Sequence, residues 1–283
     1  MTSNVSRPKV FETSGKAIIY LTLMALALAT LFPFLWAVGT SLKTEENAIA
    51  MPPQWIPNPF QPQNYVEAWN MFPFARFYFN TLLISVLGTL GALLLSAMAG
   101  YALAKYEFRG QHVILLFIVA TMMLPYWVNL VPVYILLAKL GWLDTYHGLI
   151  VPQLARPFGI FLMRQFMRSI PSDFIDAARI DGASEFGIFW RVILPQCTPA
   201  LATLTIFFFT ADWNSFIWPL IVTNSLEMRT VTVGLSLLAG SPYRTAYVLQ
   251  MAAATIGALP AIVVFLAFQR HFTEGITLAG LKG

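Results

Sequence analysis

Arg156 and Asp212 fall inside otherwise apolar runs, where an ionisable side chain is costly enough to mark a functional candidate. They lie about eight and about ten residues from the same end of their runs, so at 1.5 Å per helical residue their depths differ by about 3 Å. Two arrangements would make such charges tolerable. They pair, directly or through a polar cluster with Gln153 and Asn214, or each faces a wet cleft on its own. Trp127, Asn129, Trp213 and Asn214 add ring faces and amides of the kind that hold a sugar; aromatic residues near run ends also build interfacial belts. Groups for bond-breaking chemistry are missing from the sequence. It has no G-x-x-x-x-G-K-[ST] phosphate loop, since Gly15-Lys16 lacks the upstream glycine and is followed by Ala17. It has no H-E-x-x-H, no G-x-S-x-G and no Cys/His cluster, and His112, His147 and His271 each stand alone. Cys197 is the single cysteine. The expectation is a chain that is not an enzyme and holds neither metal nor cofactor.

The elements that carry these residues follow from composition. Hydrophobic residues make up 58% of the 283 and charged residues 11%, against roughly 25% charged in soluble domains. The apolar residues gather into runs of about 20, long enough to cross about 30 Å of hydrocarbon as helix, and none shows the alternation of a barrel strand. An all-α integral membrane protein is predicted, with six spans at about 17–38, 81–104, 113–137, 149–166, 199–222 and 247–268. A tail of residues 1–16 precedes the membrane domain (17–270) and a tail of 271–283 follows it. The first run resembles a signal peptide with Ala25-Leu26-Ala27 as a cleavage site, but it continues through Trp36 and is too long for one. Residues 40–79, with Pro52, Pro53, Pro57, Pro59 and Pro62, and the segment 223–246 read as polar connections. In the second run Gly88, Ala92, Ser96 and Gly100 recur every four residues, a face that lets another helix approach closely. Pro125 and Pro132 predict a kink or break in the third. Of 17 Lys and Arg, eleven lie on the side of the termini and five on the other. Both termini are therefore expected in the cytoplasm.

On the same side lies residues 169–195, which can form a helical pair outside the bilayer. Ser169 and Pro171 are suited to start one helix, and Gly182 to end it. Ser184 can cap a second helix, in which Phe186, Phe189, Trp190 and Ile193 form one apolar edge until Pro195 closes it. The spacing of Asp176-Ala177-Ala178, Gly182, Val192, Leu194 and Pro195 resembles the signature loop of permease subunits of ATP-binding cassette importers. Asp176 stands for the usual Glu and Val192 for Ile, and both changes keep charge or shape. A lipid-resting amphipathic helix is the plainer use of such a segment.

Across the whole chain, the proline-rich stretch after the first span, the segment Trp213 to Leu220 and the glycine-spaced ending Phe272 to Gly283 resemble the shorter permease of maltose-type carbohydrate importers. That resemblance implies a type I importer permease fold, in which the loop is a coupling helix gripped by an ATPase through Asp176, Ala177, Ala178, Gly182, Ser184, Phe186, Leu194 and Pro195. It implies a homologous second permease, two ATPase subunits that bind the ATP and Mg, and an extracytoplasmic solute-binding protein. It also implies that Gly240, Ser241, Pro242, Tyr243 and Arg244 form a loop that enters the binding protein. Arg156, Asp212, Asn214 and Asn129 are the candidates for the translocation path. The expected activity is ATP-driven sugar import by alternating access in a bacterial or archaeal cytoplasmic membrane. A glycerol phosphodiester is the alternative cargo and an ion-driven secondary carrier the distant alternative.

Overall fold

A computed structural model describes residues 9–239 and 247–280, with side chains over 16–238 and 247–270. Every described element is helical. The long helices are α1 (Lys9–Ser41), α4 (Phe74–Lys105) and α15 (Tyr247–Gly280), separated in sequence by shorter pieces that include α2 (Glu45–Ala48) and α3 (Gln63–Met71). The chain divides into two compact units, one built from α1 to α3 with the first turns of α15, the other from α4 onward with the remainder of α15.

In the first unit the side chains of α1 from Ile18 to Leu35 are exposed, an apolar surface suited to lipid. The proline-rich stretch after it is pinned by buried Lys43, whose ammonium donates to the Gln54 carbonyl and lies 4.4 Å from the Trp36 ring centre. The carboxylate of Glu45 accepts from the backbone N–H groups of Tyr247 (2.8 Å) and Val248 (3.3 Å), satisfying two of the free donors at the start of α15.

The second unit is organised around α4. Its small-residue face packs against α8 (Pro157–Arg168) and α12 (Thr198–Trp213). A Cβ at Gly100 would lie 2.7 Å from Met163 Cβ and 2.9 Å from the Arg164 backbone nitrogen, so the α4–α8 approach requires glycine there. Thr81 Oγ1 accepts from Val231 N, and Asn80 donates to the carbonyls of Glu227 and Arg229, fixing the segment that leads into α14 (Val231–Ala239). Residues 223–246 are thus not polar connection throughout: α14 is apolar and buries Val231, Val233 and Leu238.

Prolines decide which runs stay whole. The third apolar run is split into α5 (Gln111–Met122) and α6 (Tyr126–Leu140), bent by 101° with Pro125 at the break, while Pro132 is accommodated inside α6. The fourth run, expected as a span over 149–166, is not one helix. It consists of α7 (Tyr146–Ile150), a 3-10 turn (Val151–Gln153), an unwound step and α8. Pro152 and Pro157 each open a new helical piece because neither supplies an N–H to continue the previous one, and Arg156 before Pro157 is extended (φ −112°, ψ 103°). The fifth run is likewise interrupted between α12 and α13 (Ile217–Val222). The backbone of α15 continues through 271–280, where the sequence reads as tail.

Candidate coupling loop and intramembrane site

The loop after α8 folds into a compact knuckle. Helix α9 (Asp173–Ile180) follows Ser172, not Ser169; the Ser169 hydroxyl instead donates to the Phe166 carbonyl and closes α8. At the other end Gly182 has φ +78°, Gly182 N donates to Arg179 O (3.0 Å) and Ala183 N to Ala178 O (2.9 Å). This pair of bonds satisfies the last carbonyls of α9 and needs a residue at ease with positive φ. Ser184 caps α10 (Glu185–Ile188), its Oγ accepting from Gly187 N at 3.2 Å. A π-helical turn (Phe189–Ile193) follows, and then α11 (Leu194–Gln196). Pro195 has no N–H for the Arg191 carbonyl and its ring would crowd that carbonyl in an α-turn, which accounts for the wider turn just before it.

That turn changes the apolar edge expected for Phe186, Phe189, Trp190 and Ile193. Ile175, Ile188, Phe189 and Ile193 are buried against the bundle, with the Phe189 ring 5.3 Å from that of Tyr101, whereas Phe186 is 69% exposed and Trp190 lies at the surface. The signature residues divide accordingly. Asp176, Ala177, Gly182, Phe186 and Pro195 face out, Ala178 and Leu194 pack against the core, and Ser184 serves as a cap. Ile180, 87% exposed, adds an apolar group to the outer surface.

An ionic network unread in the sequence braces the knuckle. Tyr106, just past α4, donates its hydroxyl to Glu185 Oε2 (2.6 Å), and Arg179 Nε donates to Glu185 Oε1 (2.8 Å). The Arg179 bond and then the Tyr106 bond hold the Glu185 carboxyl below its ordinary range, while burial and the neighbouring Glu185 raise the Tyr106 phenol. Two stretches of chain, the end of α4 and the knuckle, meet at one carboxylate, and no spacing rule connects Tyr106 to Glu185.

Inside the second unit, Arg156 and Asp212 form an ion pair through Nη2 and Oδ1. Arg156 also donates to the Gln153 carbonyl (2.9 Å) and side-chain Oε1 (3.4 Å), and its guanidinium lies 4.4 Å from the Phe208 ring centre. The pair sits against α4 at Gly88, where a Cβ would come within 3.0 Å of Asp212 Oδ2. Gln153 joins this cluster but Asn214 does not, being exposed and donating to Thr210 O within its own helix. Trp213 is no candidate for substrate contact: it is 2% exposed, with its indole N–H donated to Gly257 O at 2.8 Å. Trp127 is exposed, and Asn129 lines a cavity of about 420 Å3 beside α8. Residues 240–244 lie outside the described residues.

A model of the family described as "Binding-protein-dependent transport system inner membrane component" matches residues 92–277. The chain is 37% identical over 263 residues to the arabinooligosaccharides transport system permease protein AraQ of Bacillus subtilis, covering 92% of this chain and 93% of that one. It is 32% identical over 256 residues to the sn-glycerol-3-phosphate transport system permease protein UgpE of Yersinia enterocolitica, covering 88% and 91%. Among solved structures it is similar to a chain of a bacterial ABC transporter involved in import of the acidic polysaccharide alginate. The TM-score is 0.83 at 25% identity, with 96% of this chain and 100% of that chain covered.

Proposed function

The chain belongs to the family of binding-protein-dependent transport system inner membrane components, and from that premise we propose that it forms half of the translocation pathway of an ATP-driven sugar importer. The observation that carries this is the knuckle: a helical pair locked by a glycine turn, a serine cap and the Glu185 network on one side, with Ala177, Ile180, Gly182 and Phe186 bare on the other. A rigid outcrop with a bare apolar and small-residue face is suited to be gripped by another subunit. An ATPase that binds ATP and Mg2+ takes that face from the cytoplasm, where both termini also lie. Two such ATPases and a homologous second permease complete the assembly in a prokaryotic cytoplasmic membrane, and the chain itself holds no cofactor. A solute-binding protein delivers cargo from outside, with residues 240–244 entering it. Closure of the ATPase pair moves the knuckles and rocks the permeases between inward-open and outward-open states.

The ion-driven carrier falls away with family membership. A phosphate-bearing cargo, as the name of the Yersinia relative describes for that protein, would call for an unpaired cation, and Arg156 is already neutralised by Asp212. An uncharged or weakly charged sugar suits the site better.

Gly182→Asp tests the coupling role. A Cβ at this position meets nothing within 4 Å, so the change adds only the backbone cost of positive φ, about 1 kcal/mol, and an acidic group on the gripped face. Sugar taken up per ATP hydrolysed by the assembled importer should fall at least tenfold while the complex still assembles. An unchanged ratio would remove the knuckle from the coupling path.

A further inference from the structure

Two breaks in the membrane-embedded helices open onto one cavity. Thr121 and Tyr126 flank the 101° bend between α5 and α6; Gln153, Ala155 and Pro157 flank the unwound step before α8; all five line the same space of about 420 Å3. Non-helical backbone at membrane depth persists only where it is buried in protein or faces water, and interrupted helices converging near mid-membrane are a recurrent way to build solute sites. The volume falls within the range of small-molecule sites, about 300–1,000 Å3.

The lining limits what would bind. It contains no charged side chain, and Arg156, between two lining residues, is turned away to Asp212. Trp218 forms one wall, its ring held by donation of the indole N–H to Gly148 O at 3.1 Å, and Tyr126 presents an exposed second ring. The Asn129 side chain makes no hydrogen bond among the described residues, so its carboxamide is free to donate and accept; Gln153 keeps one N–H beyond its bond to Leu149 O, and the Thr121 hydroxyl, which donates to Ile118 O, can still accept. Ring faces with neutral donors and acceptors between them match a polyhydroxylated, uncharged ring: apolar C–H faces stack and hydroxyls bond.

We propose that this permease carries its own subsite for one or two units of an uncharged sugar, held between Tyr126 and Trp218 and hydrogen-bonded by Asn129, Gln153 and Thr121. The proposal rests on the sugar-importer reading and adds to it that this subunit touches the cargo.

The test uses the assembled importer, with second permease, ATPases and binding protein, in proteoliposomes, and arabinotriose, maltotriose and sn-glycerol 3-phosphate as probes. The native Cys197 is fully buried, so Asn129→Cys reports on the cavity through a water-soluble maleimide. The expected result is a labelling rate that falls at least fivefold when the transported trisaccharide is present. Uptake of that trisaccharide should fall at least tenfold in Asn129→Leu and be partly restored in Asn129→Gln. If a trisaccharide is taken up but leaves Asn129→Cys labelling unchanged, or if that cysteine never reacts, the subsite is wrong while the importer reading stands. If the wild-type importer moves only sn-glycerol 3-phosphate, or none of the three, the sugar reading fails and takes the subsite with it.

Discussion

At the scale of single residues, the Arg156–Asp212 pair shows how burial dictates partnership. Asp212 is almost wholly enclosed and sits against Gly88 of α4, and removing one member of a buried pair typically costs about 3–5 kcal/mol because the other is left uncompensated. Asp212→Asn and Arg156→Gln should each lower the thermal stability of the assembled complex by about 3 kcal/mol, and the double variant should lose clearly less than their sum, as interacting neighbours do. Thermal unfolding in lipid nanodiscs checks this; strictly additive losses would mean that each charge is solvated separately. The two residues and their matching depth were legible because charges in apolar runs are few and helical rise gives depth, but the sequence left pairing and separate solvation equally open. The fate of Trp213 was not, since its partner is a backbone carbonyl 44 residues on, and nothing in local pattern points to it. Gly182 was legible because a turn that ends a helix with positive φ has a residue preference. The Tyr106 bond to Glu185 joins side chains 79 residues apart, whose meeting depends on tertiary placement alone.

At the scale of elements, proline placement explains both what could be foreseen and what could not. Pro125 breaks the third run as expected, but counting apolar residues through 149–166 treats Pro152 and Pro157 as neutral and so misses the 3-10 turn and unwound step that bring Gln153 and Ala155 to the cavity wall. The apolar edge of the knuckle went astray for a related reason: one wide turn before Pro195 shifts the register, and a 3.6-residue period cannot anticipate it. Connections between elements carry their own ties. Asp144, itself at φ +58°, accepts through Oδ1 from the N–H groups of Asn224 (2.8 Å) and Ser225 (3.1 Å), clasping the turn before α7 to the chain after α13. Burial pushes this carboxyl up, but the Asn224 N–H, the Ser225 hydroxyl and N–H and the Arg229 charge together outweigh it and hold it below the ordinary carboxylate value. A depressed folded value means stability that is present above the unfolded pKa of about 3.9 and lost as pH falls through the folded one. Asp144→Asn keeps an acceptor and tolerates positive φ, so it should cost about 1 kcal/mol, the charge-dependent part of the bonds. The difference in unfolding midpoint from wild type should be constant between pH 7 and pH 5 and close only below about pH 4. A gap that already shrinks at pH 6 would place the effect on another group.

At the scale of the whole molecule, the sequence has no phosphate loop to generate force. On the proposed reading, energy enters through the knuckle and cargo is released from a binding protein at the opposite surface. The segment suited to that is 240–244, a glycine, serine, proline, tyrosine and arginine lying between α14 and α15 in sequence. Both of its flanks are anchored independently of it: Val231 N is held by Thr81 at the start of α14, and Tyr247 N and Val248 N by Glu45 at the start of α15. Removal of residues 240–244, bridged by a short Gly-Ser linker, should then leave the two helix starts in place and the complex intact by size-exclusion chromatography. Uptake driven by loaded binding protein should fall to background, since a donor that docks but is not emptied delivers nothing. Wild-type uptake by the shortened chain would show that cargo leaves the binding protein without this segment, and would move the search for the releasing element to the second permease.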